Sequence, residues 1–282
     1  MRKVFITFGD EKFALAKARI LNEAQKTGEF DEVIAFSPED VSRKLRESQL
    51  FKVKRGYGLW SWKPDIILST ISKLNDGDIL VYADAGCSLC PSEEWREYWD
   101  DLKDNDIVAS RIYQRVDKWT RREVFENFKN NGAYWQRLYQ FLATVIILKV
   151  TPFTRKFIKD WRDSMIEHPD WVMDVTDTER PLQNKAFIEN RHDQTVYTAL
   201  LYKYLAQKET RNLIHTQWEH IEDYDPLRHQ AIRATRLRNG ENEKRCLRPI
   251  LKRLIKDYIM YPFTIMPFHI YYTMRNKKSI LK

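Results

Sequence analysis

One carboxylate follows the end of an apolar predicted strand in this 282-residue chain. The run Asp78–Tyr82 predicts a buried strand, and Asp84 comes just after it in the sequence Tyr82-Ala83-Asp84-Ala85-Gly86-Cys87. A carboxylate at a strand end, followed by small residues, lets a hard cation and a diphosphate approach the backbone closely. A turn in which Asp84 caps the next segment is an equally good interpretation of the same residues.

A second polar group stands at the start of a predicted helix. Residues 189–194 (ENRHDQ) run into the helix Thr195–Ala206, where the helix dipole favours anions. The alternative is an N-cap with a solvated first turn, which explains one polar residue. It does not explain His192, Asp193 and Gln194 in a row, so these side chains are candidates for metal-ligand, carboxylate and amide chemistry.

A third candidate is the segment 55–64 (RGYGLWSWKP), which combines glycines, aromatic rings and cations. Its two glycines give the backbone freedom, its aromatic rings offer stacking faces, and Lys63 lies at a predicted helix start that suits a phosphate. A packed aromatic loop is the alternative. The GxG spacing has no third glycine and is weak evidence for dinucleotide binding.

The elements around these groups predict an α/β fold. Strands are predicted at 3–7, 31–36 and 78–82, with helices at 10–29, 39–50 and 64–74 between them. This β-α-β-α-β order predicts a mostly parallel central sheet with helices on its faces. Ligands of such sheets bind at the carboxyl ends of the strands, where Asp84 is placed. Further strands are predicted at 106–110 and 143–149, and further helices at 151–168 and 193–206.

The charge of the chain is uneven. The net charge is +8, but residues 228–282 hold 14 Lys and Arg against 3 Asp and Glu, which leaves residues 1–227 slightly acidic. A nucleic-acid-binding protein is therefore disfavoured, since the main body is acidic and carries no recognised motif. The three cysteines, Cys87, Cys90 and Cys246, predict free thiols in a reducing compartment, and the N-terminal apolar run is too short for a signal peptide.

The C-terminal region, residues 226–282, is predicted to be a basic and aromatic helical tail. Residues 248–256 alternate basic and apolar side chains, and Tyr258–Met274 contains no charged residue but two prolines. About 17 residues are too few to cross a bilayer, and basic residues flank both ends. The composition suits a membrane–water interface as well as it suits a helix packed on the core.

The three motifs together resemble bacterial glycosyltransferases of capsule and O-antigen gene clusters. The segments RGYGLWSWKP, DGDILVYADAGC and ENRHDQTVYTALL occur in this order in that family, and the resemblance extends from residue 1 to about 205. It implies a GT-A fold, which is Rossmann-like, with a catalytic domain at residues 1–225. In that fold a D-x-D motif binds the ribose and a divalent metal, and Tyr82 stands here in place of the first Asp.

The resemblance also assigns roles to residues. The metal, Mn²⁺ or Mg²⁺, is expected at Asp84 and His192, with His215 as the second choice for the last ligand. The expected donor-binding residues are Thr7, Arg55, Tyr57, Trp60, Lys63, Tyr82, Asp84 and Ala85. The His-Asp-Gln run is similar to segments of retaining galactosyltransferases, which implies that Asp193 holds the donor sugar and Gln194 lies beneath its anomeric carbon.

These expectations combine into one hypothesis. The chain is predicted to move a hexose from a nucleotide-diphosphate sugar, with UDP favoured, to a glycan acceptor that is lipid-linked. It is expected in the cytoplasm, peripheral to the inner membrane face. The alternatives are a catalytically silent nucleotide-sugar or glycan-binding domain and a nucleic-acid-binding protein.

Overall fold

The computed structural model describes residues 1–128, 137–221 and 229–238 of the chain. The strands in these ranges are β1 (Lys3–Phe8), β2 (Glu32–Phe36), β3 (Ile79–Ala83), β4 (Ser88–Leu89), β5 (Ile107–Arg115), β6 (Tyr139–Phe141), β7 (Val145–Lys149), β8 (Ile214–Trp218) and β9 (Ile232–Arg233). The helices are α1 (Ala14–Thr27), α2 (Arg43–Arg46), α3 (Gly56–Leu59), α4 (Trp62–Ile71), α5 (Glu94–Asp104), α6 (Val116–Trp119), α7 (Arg122–Asn127), α8 (Pro152–Glu167) and α9 (Asp193–Leu205).

The central sheet is mostly parallel, with its strands in the order β2-β1-β3-β7-β5-β6 and β8 paired to β5. Strands β1, β2 and β3 run parallel, and β8 is parallel to β5. Strand β7 is antiparallel to both β3 and β5, and β6 is antiparallel to β5. The predicted α/β fold with a mostly parallel sheet and flanking helices is confirmed. Because β7 runs antiparallel to β3, the residues just before β7 lie beside the carboxyl end of β3.

Two apolar layers cover the two faces of the sheet. On β3 the side chains alternate, with Leu80 and Tyr82 in the layer beneath α4, α8 and α9, and Ile79 and Val81 in the layer beneath α1 and α5. All five residues of β3 are buried because both faces are covered. Full burial of one large apolar side chain stabilises the fold by about 1.5–3 kcal/mol, so this strand is a rigid base for the residues that follow it.

The helix predicted at 39–50 is the least accurate of the predicted elements. The chain forms a 3-10 turn at Pro38–Asp40 and only the four-residue α2, which Ser42 caps. The buried residues Val41, Leu45 and Leu50 are spaced by four and then five positions, so one straight helix cannot present all three to the core. The other predicted helices agree with the structure to within about four residues at their ends, as in α8, where Thr151 provides the cap.

Part of the basic C-terminal region packs on the α/β body. Strand β9 pairs with β4, and Ala231 and Ile232 are fully buried in the second apolar layer. The domain boundary predicted after residue 225 stays a prediction, and most of the predicted tail, residues 239–282, lies outside the described residues. In the parts of the chain that the structure describes, no helix has the length and apolar content that crossing a bilayer requires. Cys87 and Cys90 are free thiols, as predicted.

Candidate functional site

A cavity of about 620 Å³ opens at the carboxyl ends of β1 and β3. This volume lies within the range of small-molecule binding pockets, and the position is the usual one for ligands of open α/β sheets. The walls contain parts of all three sequence motifs. The predicted site residues that line the cavity are Arg55, Tyr57, Trp60, Lys63, Tyr82, Asp84, Ala85, His192, Asp193 and Gln194.

Lys63 joins the three motifs at the floor of this cavity. Its Nζ donates to Asp193 Oδ2 at 2.8 Å and to the Ala143 carbonyl at 2.9 Å, and lies 3.4 Å from Asp84 Oδ1. Only 3% of the Lys63 side chain is exposed. Burial lowers the pKa of Lys63, but the carboxylates of Asp193 and Asp84 raise it, and the net pKa is above its ordinary value. The ammonium therefore stays charged and fixes two carboxylates at one wall.

Tyr82 orients Asp84. Its hydroxyl donates to Asp84 Oδ1, and its ring is fully buried. Burial, followed by the charge of Asp84, raises the pKa of Tyr82 well above its usual range, so the phenol stays protonated and donates. Tyr82 stands at the first position of the D-x-D pattern, and its hydroxyl fixes the one carboxylate that remains, that of Asp84. One third of the Asp84 side chain is exposed to the cavity, at 34%.

Thr7 and Gln194 are held by hydrogen bonds in different ways. Thr7 is fully buried outside the cavity wall, and its Oγ1 donates to the Ala83 carbonyl at 2.8 Å, which ties β1 to β3 one residue before Asp84. Gln194 lines the cavity, accepts from the Ala143 amide at 3.3 Å and donates to Gln140 Oε1. The amide of Gln194 is therefore fixed in orientation. Nothing in the local sequence marks Gln140, because a lone polar residue in an apolar stretch gives no signal.

The segment 56–60 is one turn of left-handed helix. All five φ angles are positive, and the turn is closed by hydrogen bonds from Leu59 N to Arg55 O and from Trp60 N to Gly56 O, at 2.9 and 3.1 Å. Each non-glycine residue in this conformation costs about 1–2 kcal/mol, and Tyr57, Leu59 and Trp60 all adopt it. Strain of this kind concentrates at functional sites, where the surrounding structure maintains it.

The strained turn meets a second strained residue. His192 has φ 51° and ψ −120°, and its ring stacks on Trp60 at a centroid distance of 5.3 Å. The Nδ1 atom of His192 is 2.7 Å from the Val172 carbonyl, so it carries the proton and donates. Its Nε2 atom is buried without a hydrogen bond and lies 3.8 Å from Asp174, which is paired with Arg55 at 3.0 Å. The two strained segments together form an aromatic wall of the cavity.

The predicted metal ligands do not form a protein-held metal site. No three His, Cys, Asp or Glu side chains in the described ranges are grouped closely enough to hold an ion. Asp84 Oδ1 accepts a hydrogen bond from Tyr82 and lies 3.4 Å from the Lys63 ammonium. His192 Nε2 lies 3.8 Å from Asp174. His215 is on β8, three strands or about 14 Å across the sheet from β3, beside Asp101 and outside the cavity wall. The residues present therefore do not fit a resident divalent metal.

Cationic residues that the sequence analysis assigned to the tail also reach this cavity. Arg236 and Arg238, which follow β9, line it beside Asp84 and Gly86, and Lys12 and Lys54 line it from the N-terminal half. The only sequence signal for the two arginines was their charge. Their position depends on the pairing of β9 with β4, which joins segments more than 140 residues apart.

No protein-family model and no curated protein sequence matches this chain. Among solved structures, a galactosyltransferase LgtC in complex with donor and acceptor sugar analogs shares 14% identity over 77% of this chain and 87% of that one, with a TM-score of 0.40. Mouse xyloside xylosyltransferase 1 shares 13% identity over 76% and 84%, with a TM-score of 0.39. A glycosyltransferase involved in glycosylation of the PBCV-1 major capsid shares 11% over 67% and 81%, with a TM-score of 0.36. With identities of 14% or less and TM-scores of 0.40 or less, function has to be inferred from the site.

Proposed function

We propose that the protein is a GT-A-type glycosyltransferase that binds a nucleotide-diphosphate sugar in this cavity and transfers the sugar to a glycan acceptor. The observation that carries the proposal is the Lys63 ammonium, which draws Asp84 and Asp193 to one wall at the carboxyl edge of the sheet. Three motifs that are far apart in sequence meet there. Burying the Lys63 ammonium with the Asp193 carboxylate is costly, so a purely structural role explains this arrangement poorly.

In this proposal Asp84 and Asp193 bind different parts of the donor. The hydrogen bond from Tyr82 and the nearest approach of Lys63 are both at Oδ1 of Asp84, so Oδ2 can accept a hydrogen bond from a ribose hydroxyl of the nucleotide. Asp193 lies at the first turn of α9 and would hold hydroxyls of the donor sugar. The rings of Trp60 and Tyr57 line the same cavity and offer faces for a base or a sugar.

The transfer is proposed to keep the anomeric configuration. The bond between the anomeric carbon and the diphosphate oxygen breaks, the acceptor oxygen bonds to that carbon on the same face, and the acceptor proton passes to the leaving diphosphate. Gln194 has no basic group, and its fixed amide would orient the sugar or stabilise developing charge beneath the anomeric carbon. Asp193 Oδ2 is committed to Lys63, which supports a holding role over that of a general base.

A panel of UDP- and GDP-sugars, with nucleotide release as the readout, tests the proposal. Asp193→Asn keeps the shape of the side chain and removes its charge, and we expect turnover to fall by about 100-fold or more. Asp177→Asn, at an exposed site away from the cavity, is the matched control and should leave turnover unchanged. The anomeric coupling of the product, measured by NMR from an α-linked donor, tests retention, and a β-linked product would recast Asp193 as the base.

Two other outcomes would replace the proposal. Binding of a nucleotide sugar without any release, at all donors and with Mn²⁺ or Mg²⁺ added, would favour a silent binding domain. Tight, salt-sensitive binding of RNA or DNA would favour the nucleic-acid alternative. The sequence predicts dependence on a divalent metal, whereas the described residues do not group to hold one, and comparison of rates with Mn²⁺ and with a chelator decides between the two.

A lipid-linked acceptor at a membrane surface is part of the proposal and depends on the basic C-terminal region. Each Lys or Arg near an anionic surface contributes about 1 kcal/mol, and salt weakens the attraction. Flotation of the full chain with anionic and neutral vesicles, at low and high salt, measures this. Equal flotation with anionic and neutral vesicles would contradict a role for the basic residues in membrane binding.

A further inference from the structure

The segment Ala234–Arg238 is fixed to the loop that carries Asp84. Leu237 N and Thr235 Oγ1 both donate to the Gly86 carbonyl at 2.9 Å. Gly86 leaves so little room that an added Cβ would come within 3.3 Å of the Arg236 Cα. The residue two positions after Asp84 therefore holds this C-terminal segment in direct contact with the cavity.

The same segment is anchored from its N-terminal side. Strand β9 pairs with β4, the Ala231 amide donates to Glu94 Oε2 at 2.7 Å, and the Ala234 amide donates to the Ile221 carbonyl at 2.6 Å. These contacts lie in buried surroundings, since Ala231 is fully buried and Ala234 is 8% exposed. The segment is thus a built wall of the cavity, and its side chains have defined positions.

Arg236 is held in a strained conformation at this wall. Its φ angle is 56°, in the left-handed region that costs a non-glycine residue about 1–2 kcal/mol. A glycine would fit the same turn without this cost, yet the chain carries a cationic side chain there. Both Arg236 and Arg238 line the cavity, with exposed side chains.

The charge of the cavity wall favours an anionic ligand. Among the described residues that line it, seven are Lys or Arg and four are Asp or Glu, a cationic excess of three. On the acidic side, Asp84 and Asp193 share one ammonium, that of Lys63. The cations of the wall include Arg236, Arg238, Lys12 and Lys54. A diphosphate bound near Asp84 needs positive charge beside it. The described carboxylates of the wall are not grouped to hold a metal ion that could supply this charge.

We propose that Arg236 and Arg238 bind the diphosphate of the nucleotide donor and supply the charge compensation for which many such sites use a divalent metal. This inference rests on the proposed function, because it identifies the group that contacts the leaving diphosphate. The guanidinium forks bind phosphate oxygens through paired, charge-assisted hydrogen bonds. They would also stabilise the charge that the diphosphate gains as its bond to the sugar breaks.

Calorimetric titration of the full chain with UDP and with inorganic pyrophosphate tests the proposal. The titrations are done with a chelator present and with Mn²⁺ present. We expect UDP binding that the chelator weakens less than about two-fold, and a 10- to 100-fold loss in the double variant Arg236→Gln/Arg238→Gln. The matched control is Arg233→Gln, because Arg233 lies in β9, contacts Cys90 and is outside the cavity wall. It should change UDP binding less than two-fold.

A second variant separates lost charge from lost structure. Arg236→Gly removes the charge and also the strain at φ 56°, so the melting temperature should stay equal or rise while UDP binding falls as in Arg236→Gln. Weak binding together with a lowered melting temperature in both variants would mean that Arg236 is structural, and would overturn the proposal. Full UDP binding in the double variant, binding that requires Mn²⁺, or no binding of UDP or pyrophosphate would also overturn it.

The outcomes also separate this inference from the proposed function. Sugar transfer that persists in the double variant leaves the glycosyltransferase in place and removes the arginine site. Arginine-dependent pyrophosphate binding without transfer from any nucleotide sugar keeps the anion site and removes the transferase.

Discussion

Two ion pairs involve the same segment, residues 55–64, but lie in opposite environments. Lys63 and Asp193 form a pair at the cavity floor whose side chains are 3% and 8% exposed, whereas Arg55 and Asp174 form a pair at the rim that is 50% and 56% exposed. Both pairs connect the segment 55–64 to residues beyond 170. Their separations are similar, 2.8 and 3.0 Å, so distance alone does not distinguish them.

Burial makes the difference between the two pairs. An exposed pair contributes at most about 1 kcal/mol, because water screens it and two long side chains lose freedom. A buried pair costs solvation energy to form, but removal of one partner leaves an uncompensated charge in the interior. The floor pair is therefore suited to set the geometry of the cavity, and the rim pair is suited to exchange partners with a ligand or with His192, which lies 3.8 Å from Asp174.

The largest effect is expected when the floor pair is broken. Lys63→Met leaves Asp193 and Asp84 without their shared cation, and we expect a loss of about 3–5 kcal/mol in the free energy of unfolding, together with loss of activity. Urea unfolding measures the first quantity. The double variant Lys63→Met/Asp193→Asn should recover part of the stability but none of the activity. If the double variant is no more stable than Lys63→Met, the loss of stability does not come from the unpaired Asp193 carboxylate.

The next effect comes from the strained turn that leads into Lys63. Gly56→Ala would place a Cβ 2.7 Å from the Trp60 ring at a φ of 57°, and we expect a loss of about 2–4 kcal/mol in the free energy of unfolding. Gly28→Ala is the matched control, since Gly28 also has positive φ, 72°, but nothing within 4 Å of an added Cβ. It should lose only about 1–2 kcal/mol. Equal losses in urea unfolding would mean that contact with Trp60 adds nothing to backbone strain.

A smaller effect is expected at a pair of intermediate exposure, Arg121 and Glu179, at 4% and 35%. Hydrogen bonds from the Thr176 backbone and from Arg121 lower the pKa of Glu179 from 4.5 to about 2. Since the folded pKa is below the unfolded one, the contribution is present above pH 4.5 and is lost as the pH falls towards 2. The stability difference between wild type and Glu179→Gln should shrink from pH 7 to pH 3. Glu126→Gln, which removes a charge from an exposed ion pair with Arg122, is the control. A stability difference between wild type and Glu179→Gln that stays constant from pH 7 to pH 3 would contradict this role of Glu179.

The smallest effect on stability is expected at the rim pair. Asp174→Asn should change the free energy of unfolding by less than about 1 kcal/mol, because the pair with Arg55 is exposed. Urea unfolding measures this change. A loss of stability as large as that of Lys63→Met would erase the distinction between floor and rim.

The sequence by itself determined strands β1, β2, β3, β5 and β7 and the positions of its three polar motifs relative to them. Alternating and continuous apolar runs, a turn at Asn75-Asp76-Gly77 and a proline in the first turn of α4 are local signals, and they placed Asp84 at the carboxyl end of a buried strand. The same local signals placed Asp193 and Gln194 in the first turn of α9. Such features depend on about ten neighbouring residues, which is why the sequence specifies them directly.

Only the tertiary structure decided which of these residues touch. Lys63 was expected to be open to a phosphate, but it is buried and bridges two carboxylates, one of them 130 residues away in sequence. Tyr82 became the hydrogen-bond donor to Asp84, His215 was placed about 14 Å across the sheet, and Arg236 was brought from the basic C-terminal region to the cavity. Contacts of this kind follow from the packing of helices on a shared sheet, and packing depends on the sum of many distant apolar contacts that no short segment of the chain encodes.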